Sequence, residues 1–166
     1  MIIGIGGVSM AGKSTLARRL KEKFPDKKTI IFCQDDFVLA QNEIPKVTDK
    51  VDWERPESVD LETYASTILN FNETHDIVFA EGLFAFYDER LRAIYDKKIY
   101  IHITKELFLD RKSNDLRWGP EPEWYVQHIW DSFLEYGNID GQYQDIYLIN
   151  GAQDIDLDNL LAYLKK

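Results

Sequence analysis

Cysteine is nearly absent, Cys33 being the sole one in 166 residues. No internal disulfide can form, and nothing demands an oxidising compartment. Positive charge is scarce as well. Twenty lysines and arginines face 29 aspartates and glutamates, for a net charge of −9. A chain this acidic repels phosphate backbones and anionic membranes, which argues against nucleic acid as a partner; a small anion in a local basic pocket stays compatible with it. Long hydrophobic runs are missing too, none approaching the roughly 20 apolar residues of a membrane-spanning helix. The start, Met1-Ile2-Ile3-Gly4-Ile5, runs into a glycine loop without the basic region, apolar stretch and cleavage site of a signal peptide. A cytoplasmic protein with no membrane partner is expected. Internal repeats and low-complexity linkers are lacking, so residues 1–166 read as one domain.

What is present is alternation. Ile2–Ile5, Thr29–Phe32, Ile77–Ala80, Ile99–Ile103 and Ile146–Ile149 read as short buried strands. Between them lie helical patterns. One starts at Lys13, with Leu16, Ala17, Leu20 and Phe24 on one face, and stops at Pro25-Asp26. Others cover Ser58–Asn70, with Ser58 as N-cap, then Leu91–Tyr95, Lys105–Ser113, the aromatic-rich Trp124–Tyr136, and Leu157–Leu164. Residues 39–56 are polar and broken by Pro45 and Pro56, so a long excursion with little regular structure is expected there. Strands alternating with helices predict an α/β fold with a five-stranded, mainly parallel sheet covered on both faces. Ligands bind such sheets beyond the carboxyl ends of the strands. The glycine loop, Asp35-Asp36 and Glu81-Gly82 all fall there.

Gly7-Val8-Ser9-Met10-Ala11-Gly12-Lys13-Ser14 matches the phosphate-loop pattern G-x-x-x-x-G-K-[ST] without an error. Its glycines let the backbone curl so that N–H groups face phosphate oxygens, at the positive end of the following helix. Lys13 is placed to reach the β and γ phosphates of ATP, and Ser14 to coordinate Mg²⁺. A chance match in a chain this short is rare, and the strand–loop–helix setting makes it rarer.

Transfer to an alcohol needs a carboxylate to take its proton. Asp35 and Asp36 follow the second strand; in an extended segment they point to opposite sides, so one of them serves the chemistry. The bland alternative for either is a turn residue or helix cap. Glu81, after Ile77-Val78-Phe79-Ala80, is costly inside a sheet unless a metal or a lysine partners it. His75, His102 and His128 share no metal-ligand spacing and read as structural, and Cys33 reads as packing.

With these pieces the chain resembles the uridine kinase and nicotinamide riboside kinase branch of the P-loop kinases. The likeness rests on Gly7–Thr15, Gln34-Asp35-Asp36-Phe37, Trp53-Glu54-Arg55-Pro56-Glu57-Ser58-Val59-Asp60, Glu81-Gly82-Leu83-Phe84-Ala85-Phe86 and Ile146-Tyr147-Leu148-Ile149-Asn150-Gly151. It implies a nucleoside-kinase-like P-loop fold with a short lid at about residues 111–122. It makes Asp35 the catalytic base, puts Glu81 near Mg²⁺, Phe37 beside the substrate base and Asn150-Gly151 near the donor base, with Thr15 completing the ATP site. Arg111 and Arg117 become the lid arginines that stabilise the transferring group, with Lys112 as a possible helper; for each, a solvated helical face is the bland alternative. The family's aromatic-Asp pair, which recognises ribose hydroxyls, is Trp53-Glu54 here. Arg55 replaces the histidine that follows that pair in uridine kinases, and Gly6 stands where the family usually has Ser.

The implied reaction moves a phosphoryl group from ATP, with Mg²⁺, to the 5′-hydroxyl of a nucleoside. Compact length, the Gln-Asp-Asp-Phe wording and the His128-Ile129-Trp130 segment lean toward nicotinamide riboside over uridine or cytidine, and an acceptor outside the nucleosides, such as a pantothenate-like or sugar alcohol, stays open. A cationic pyridinium would also suit an acidic pocket at Trp53. The rival from another class is a degenerate kinase acting as a nucleotide-binding regulator. A guanine-reading Asn/Thr-Lys-x-Asp segment and an effector domain are both lacking.

Overall fold

The computed structural model describes residues 1–115, 119–139 and 145–166. Its centre is a sheet of five parallel strands: β1 (Ile2–Gly6), β2 (Thr29–Cys33), β5 (Ile77–Gly82), β6 (Lys97–His102) and β7 (Ile146–Asn150). Their spatial order is β2-β5-β1-β6-β7, every pairing parallel. The expected strands thus appear, each within two residues of its expected limits. β1 and β5 are buried along their whole length, as strands covered on both faces must be. β2 forms an edge and is only half-buried.

Helices α1 (Lys13–Glu22), α2 (Leu61–Asn72), α3 (Glu89–Ile94), α4 (Lys105–Ser113), α5 (Glu123–Ser132) and α6 (Leu157–Leu164) connect or flank the strands. α1 buries Leu16, Ala17 and Leu20 at the helical spacing expected from sequence. Tyr125, Trp130 and Phe133 join the core, which supports the packing role of the aromatic helix. That helix ends earlier than expected: α5 stops at Ser132 and a π-helical turn, Phe133–Gly137, completes it.

Two expectations are corrected. Asp60, not Ser58, caps α2, its Oδ1 accepting from Thr63 N at 2.8 Å. Pro56 sets a 3₁₀ turn over Pro56–Ser58, and Val59 then stays extended to bridge Val38, which delays the helix. Ser58 is buried, its Oγ 2.6 Å from Arg55 O and 3.0 Å from Trp53 O. Asp35 and Asp36 are not extended but lie in a 3₁₀ turn, Gln34–Phe37. At three residues per turn adjacent side chains point about 120° apart. The excursion over residues 39–56 contains a hairpin, β3 (Lys46–Val47) and β4 (Lys50–Val51).

Candidate active site

The order β5-β1-β6 puts β1 in the middle: the chain leaves it toward β2 on one side and later crosses from β5 to β6 on the other, and the glycine loop emerges from the carboxyl end of β1. Gly7 has φ 145°, and a Cβ there would meet Ile101 O at 2.5 Å. Backbone conformation and close approach to β6 both demand glycine. Gly12, at φ 101°, turns the chain into α1, which has neither a side-chain cap nor an acidic residue in its first turn. Its leading N–H groups and positive end are thereby left for an anion. Met10 takes a left-handed φ of 65°, a cost that the loop imposes. Val8 and Ala11 are buried and anchor the curl, while Lys13 Nζ donates to Val8 O at 3.1 Å across it.

Glu81 lies in β5, between Ile5 of β1 and Cys33 of β2, and is 2% exposed. Its partner is the loop itself: Ser14 Oγ donates to Glu81 Oε1 at 2.6 Å. The expected metal pair is therefore brought together. Cys33 beside it is pushed well above the usual thiol range, chiefly by burial and then by the Glu81 and Asp35 carboxylates. A thiol held protonated is a poor nucleophile, in keeping with a packing role.

Asp35 is exposed at the end of β2, and its charge acts on Cys33, Tyr64 and Glu54. It therefore links the strand ends to the excursion. Phe37 is half-buried, edge-on to Tyr64 at 5.1 Å and to Phe32 at 6.2 Å. Arg55 turns away to Glu57, Nε to Oε2 at 3.3 Å, on the surface. Glu54 keeps some access to water yet is surrounded by protein. Burial pushes its carboxyl up to about 7; Asp35, Asp52 and Glu121 push the same way, and Lys112 opposes them.

Arg111, at the end of α4, clasps two expected nucleotide segments. Its Nη1 donates to Met10 O at 3.0 Å and its Nη2 to Gly151 O at 2.6 Å. Asn150 is exposed and caps its own turn, Oδ1 accepting from Ala152 N. Lys112 is not a surface residue: its side chain is 7% exposed and pairs with Glu121 Oε2 at 2.6 Å. Arg117 lies outside the described residues. Sequence reasoning missed Asp52, Tyr125 and Glu121 and set His128 aside. Asp52 is buried and bonded to His128 Nε2 at 2.7 Å, a pairing across 76 positions that no local pattern signals.

Residues 54–115 match the phosphoribulokinase / uridine kinase family. Over 98% of its length the chain is 23% identical to the uridine kinase of Geobacillus kaustophilus (strain HTA426), covering 92% of that protein. Over 94% it is 28% identical to human nicotinamide riboside kinase 1, covering 87% of it. Among solved structures, a sugar kinase from Janibacter sp. HTCC2649 superposes with a TM-score of 0.67 at 19% identity, covering 99% of this chain and 94% of that one. No helix among the described residues is long and apolar enough to cross a membrane. Loop, strand order and sequence likeness converge: the chain has the fold of the P-loop kinases and is an ATP-dependent phosphotransferase similar to the uridine kinases and nicotinamide riboside kinases.

Proposed function

We propose that this kinase phosphorylates the 5′-hydroxyl of a small nucleoside, with nicotinamide riboside the favoured acceptor. The observation that carries the reading is the Ser14–Glu81 bond, which joins the phosphate loop to a central strand end, with the Asp35 charge acting on the same cluster. Loop amides and Lys13 hold the β and γ phosphates of ATP. Asp35 accepts the hydroxyl proton as that oxygen attacks the γ phosphorus in line, and ADP departs without a covalent enzyme intermediate. Arg111 reaches the transferring group on exchanging its carbonyl partners for phosphate oxygens.

Ser14 and Glu81 offer hard oxygen donors, one of them a buried carboxylate. Among the described residues no cluster of three or more His, Cys, Asp or Glu forms a protein cage for a metal. That suits Mg²⁺, which takes one or two protein oxygens plus phosphates. Held by Ser14 and Glu81, it would neutralise charge on the phosphates.

Acceptor preference follows from charge. Asp35, Asp52, Glu54 and Glu121 interact around one corner, with Lys112 as their cation. A surplus of negative charge beside Trp53 favours a cationic base over a neutral pyrimidine. Uridine or cytidine is the second reading, and the family match and the bacterial relative, both named for uridine, support it. Incubation with ATP, Mg²⁺ and a nucleoside panel, followed by ADP release, tests both. Turnover with nicotinamide riboside at the highest kcat/KM is expected. Turnover with uridine alone selects the second reading, and no ADP above background across the panel favours a nucleotide-binding regulator.

A further inference from the structure

The excursion that carries Trp53 and Glu54 has little secondary structure to hold it. It has two-residue strands and the single bridge Val38–Val59. The base of its hairpin is fixed instead against α5. Asp52, 3% exposed, places Oδ1 2.7 Å from His128 Nε2, and the same oxygen accepts from Glu54 N at 3.2 Å. Ser132 Oγ lies 3.5 Å from that imidazole nitrogen. On the flank, the Lys50 ammonium lies 5.2 Å from the Tyr125 ring centre and 5.9 Å from that of Trp124. Tyr125 packs on the His128 ring at 5.8 Å.

A buried ionisable pair is a poor device for stability alone, since well-packed apolar side chains of similar volume do as well or better. What it adds is direction. A carboxylate held on one side by an imidazole presents its oxygen to the Glu54 amide in a fixed orientation, one residue from the stacking candidate Trp53. We infer that Asp52 and His128 form a positioning pair that sets Trp53 and Glu54 for the acceptor and ties the acceptor pocket to the helix after the lid segment. The inference rests on the reading of Trp53-Glu54 as the acceptor contact. Neither residue touches the reacting atoms. The groups facing Glu54 are Asp35 from the end of β2, Asp52 from the excursion, Lys112 from α4 and Glu121 from the approach to α5, with Tyr125 on α5 sensing its charge.

The test measures affinity for nicotinamide riboside and for uridine by calorimetry, alongside steady-state kinetics, in the full chain. His128→Ala is expected to raise the acceptor Kd and KM about tenfold while the ATP KM and kcat stay within about twofold. His128→Gln, which restores an amide donor of similar reach, should recover most of that loss. Equal losses for ATP and acceptor, or no rescue by Gln, would show a merely structural role and overturn the inference. If His128→Ala does not fold, Asp52→Asn decides through pH. Removing the Asp52 charge lowers the point at which Glu54 ionises, so the Glu54 limb of the acceptor kcat/KM profile should move to lower pH; an unmoved limb overturns the inference. Glu54→Gln separates the two levels. If it leaves acceptor affinity unchanged, or neither probe binds the parent, the acceptor reading fails and the pair loses its role with it. If it weakens acceptor binding while the Asp52 and His128 variants do not, the acceptor reading stands and the positioning pair fails.

Discussion

Glu54→Gln should make the protein more stable, and only at higher pH. In the folded chain Glu54 is held neutral up to about 7, against an ordinary value of 4.5. The sign follows from proton counting. Between those two values the folded state binds more protons than the unfolded state, so stability falls as pH rises. Below pH 4.5 the group is neutral in both states and contributes nothing; above pH 7 the full cost of charging it inside the fold is present. At about 1.4 kcal/mol per pH unit the ceiling is about 3 kcal/mol. Some water reaches the side chain, so about 1.5–3 kcal/mol is the expected gain on substitution. Urea unfolding of parent and variant at pH 5, 6, 7, 8 and 9 reads it. The gap should be smallest at pH 5, about a quarter of its full size, widen through pH 6 and 7, and level off at pH 8–9. Parallel curves across the range would refute the reasoning, because a buried carboxyl that ionises freely cannot carry this cost. A gain in stability joined to weaker acceptor binding would mark Glu54 as a residue kept for function against the interest of the fold.

Other substitutions probe separate parts of the site. Asp35→Ala should lower kcat by about 10²–10⁴ with the ATP Kd nearly unchanged, and Asp36→Ala should do far less; the reverse order would reassign the base. Glu81→Gln should raise the Mg²⁺ concentration for half-maximal rate at least about tenfold, read by Mg²⁺ titration at fixed ATP. Arg111→Ala releases Met10 O and Gly151 O together, so it should raise the ATP KM about tenfold and leave the acceptor KM unchanged, read by varying each substrate in turn.

The parts of this molecule that can be read from sequence are those whose physics is local. Gly7 to Ser14 is contiguous, and each glycine answers a backbone demand visible in the fold. The five strands announce themselves as apolar runs because both faces of the sheet are covered. Tertiary pairing was not legible. Asp52 and His128 meet across 76 positions, and Lys112 finds Glu121 beyond the end of its own helix, so neither pair leaves a spacing to detect. The hairpin Lys46–Val51 was hidden because its turn lacks the expected chemistry: Thr48, β-branched, takes φ 54° where glycine would signal a turn. Ser58 and Asp60 are both acceptable caps by type, and the Val38–Val59 bridge chose between them.

Cocrystallisation with Mg²⁺, a non-hydrolysable ATP analogue and nicotinamide riboside tests the central claim most directly. The account predicts an Asp35 carboxylate oxygen within about 3 Å of the nucleoside 5′-oxygen, on the side of the hydroxyl away from Lys13 and the phosphates. An Asp35 turned to solvent, with the hydroxyl resting against some other group or finding no room beside the loop, would contradict it.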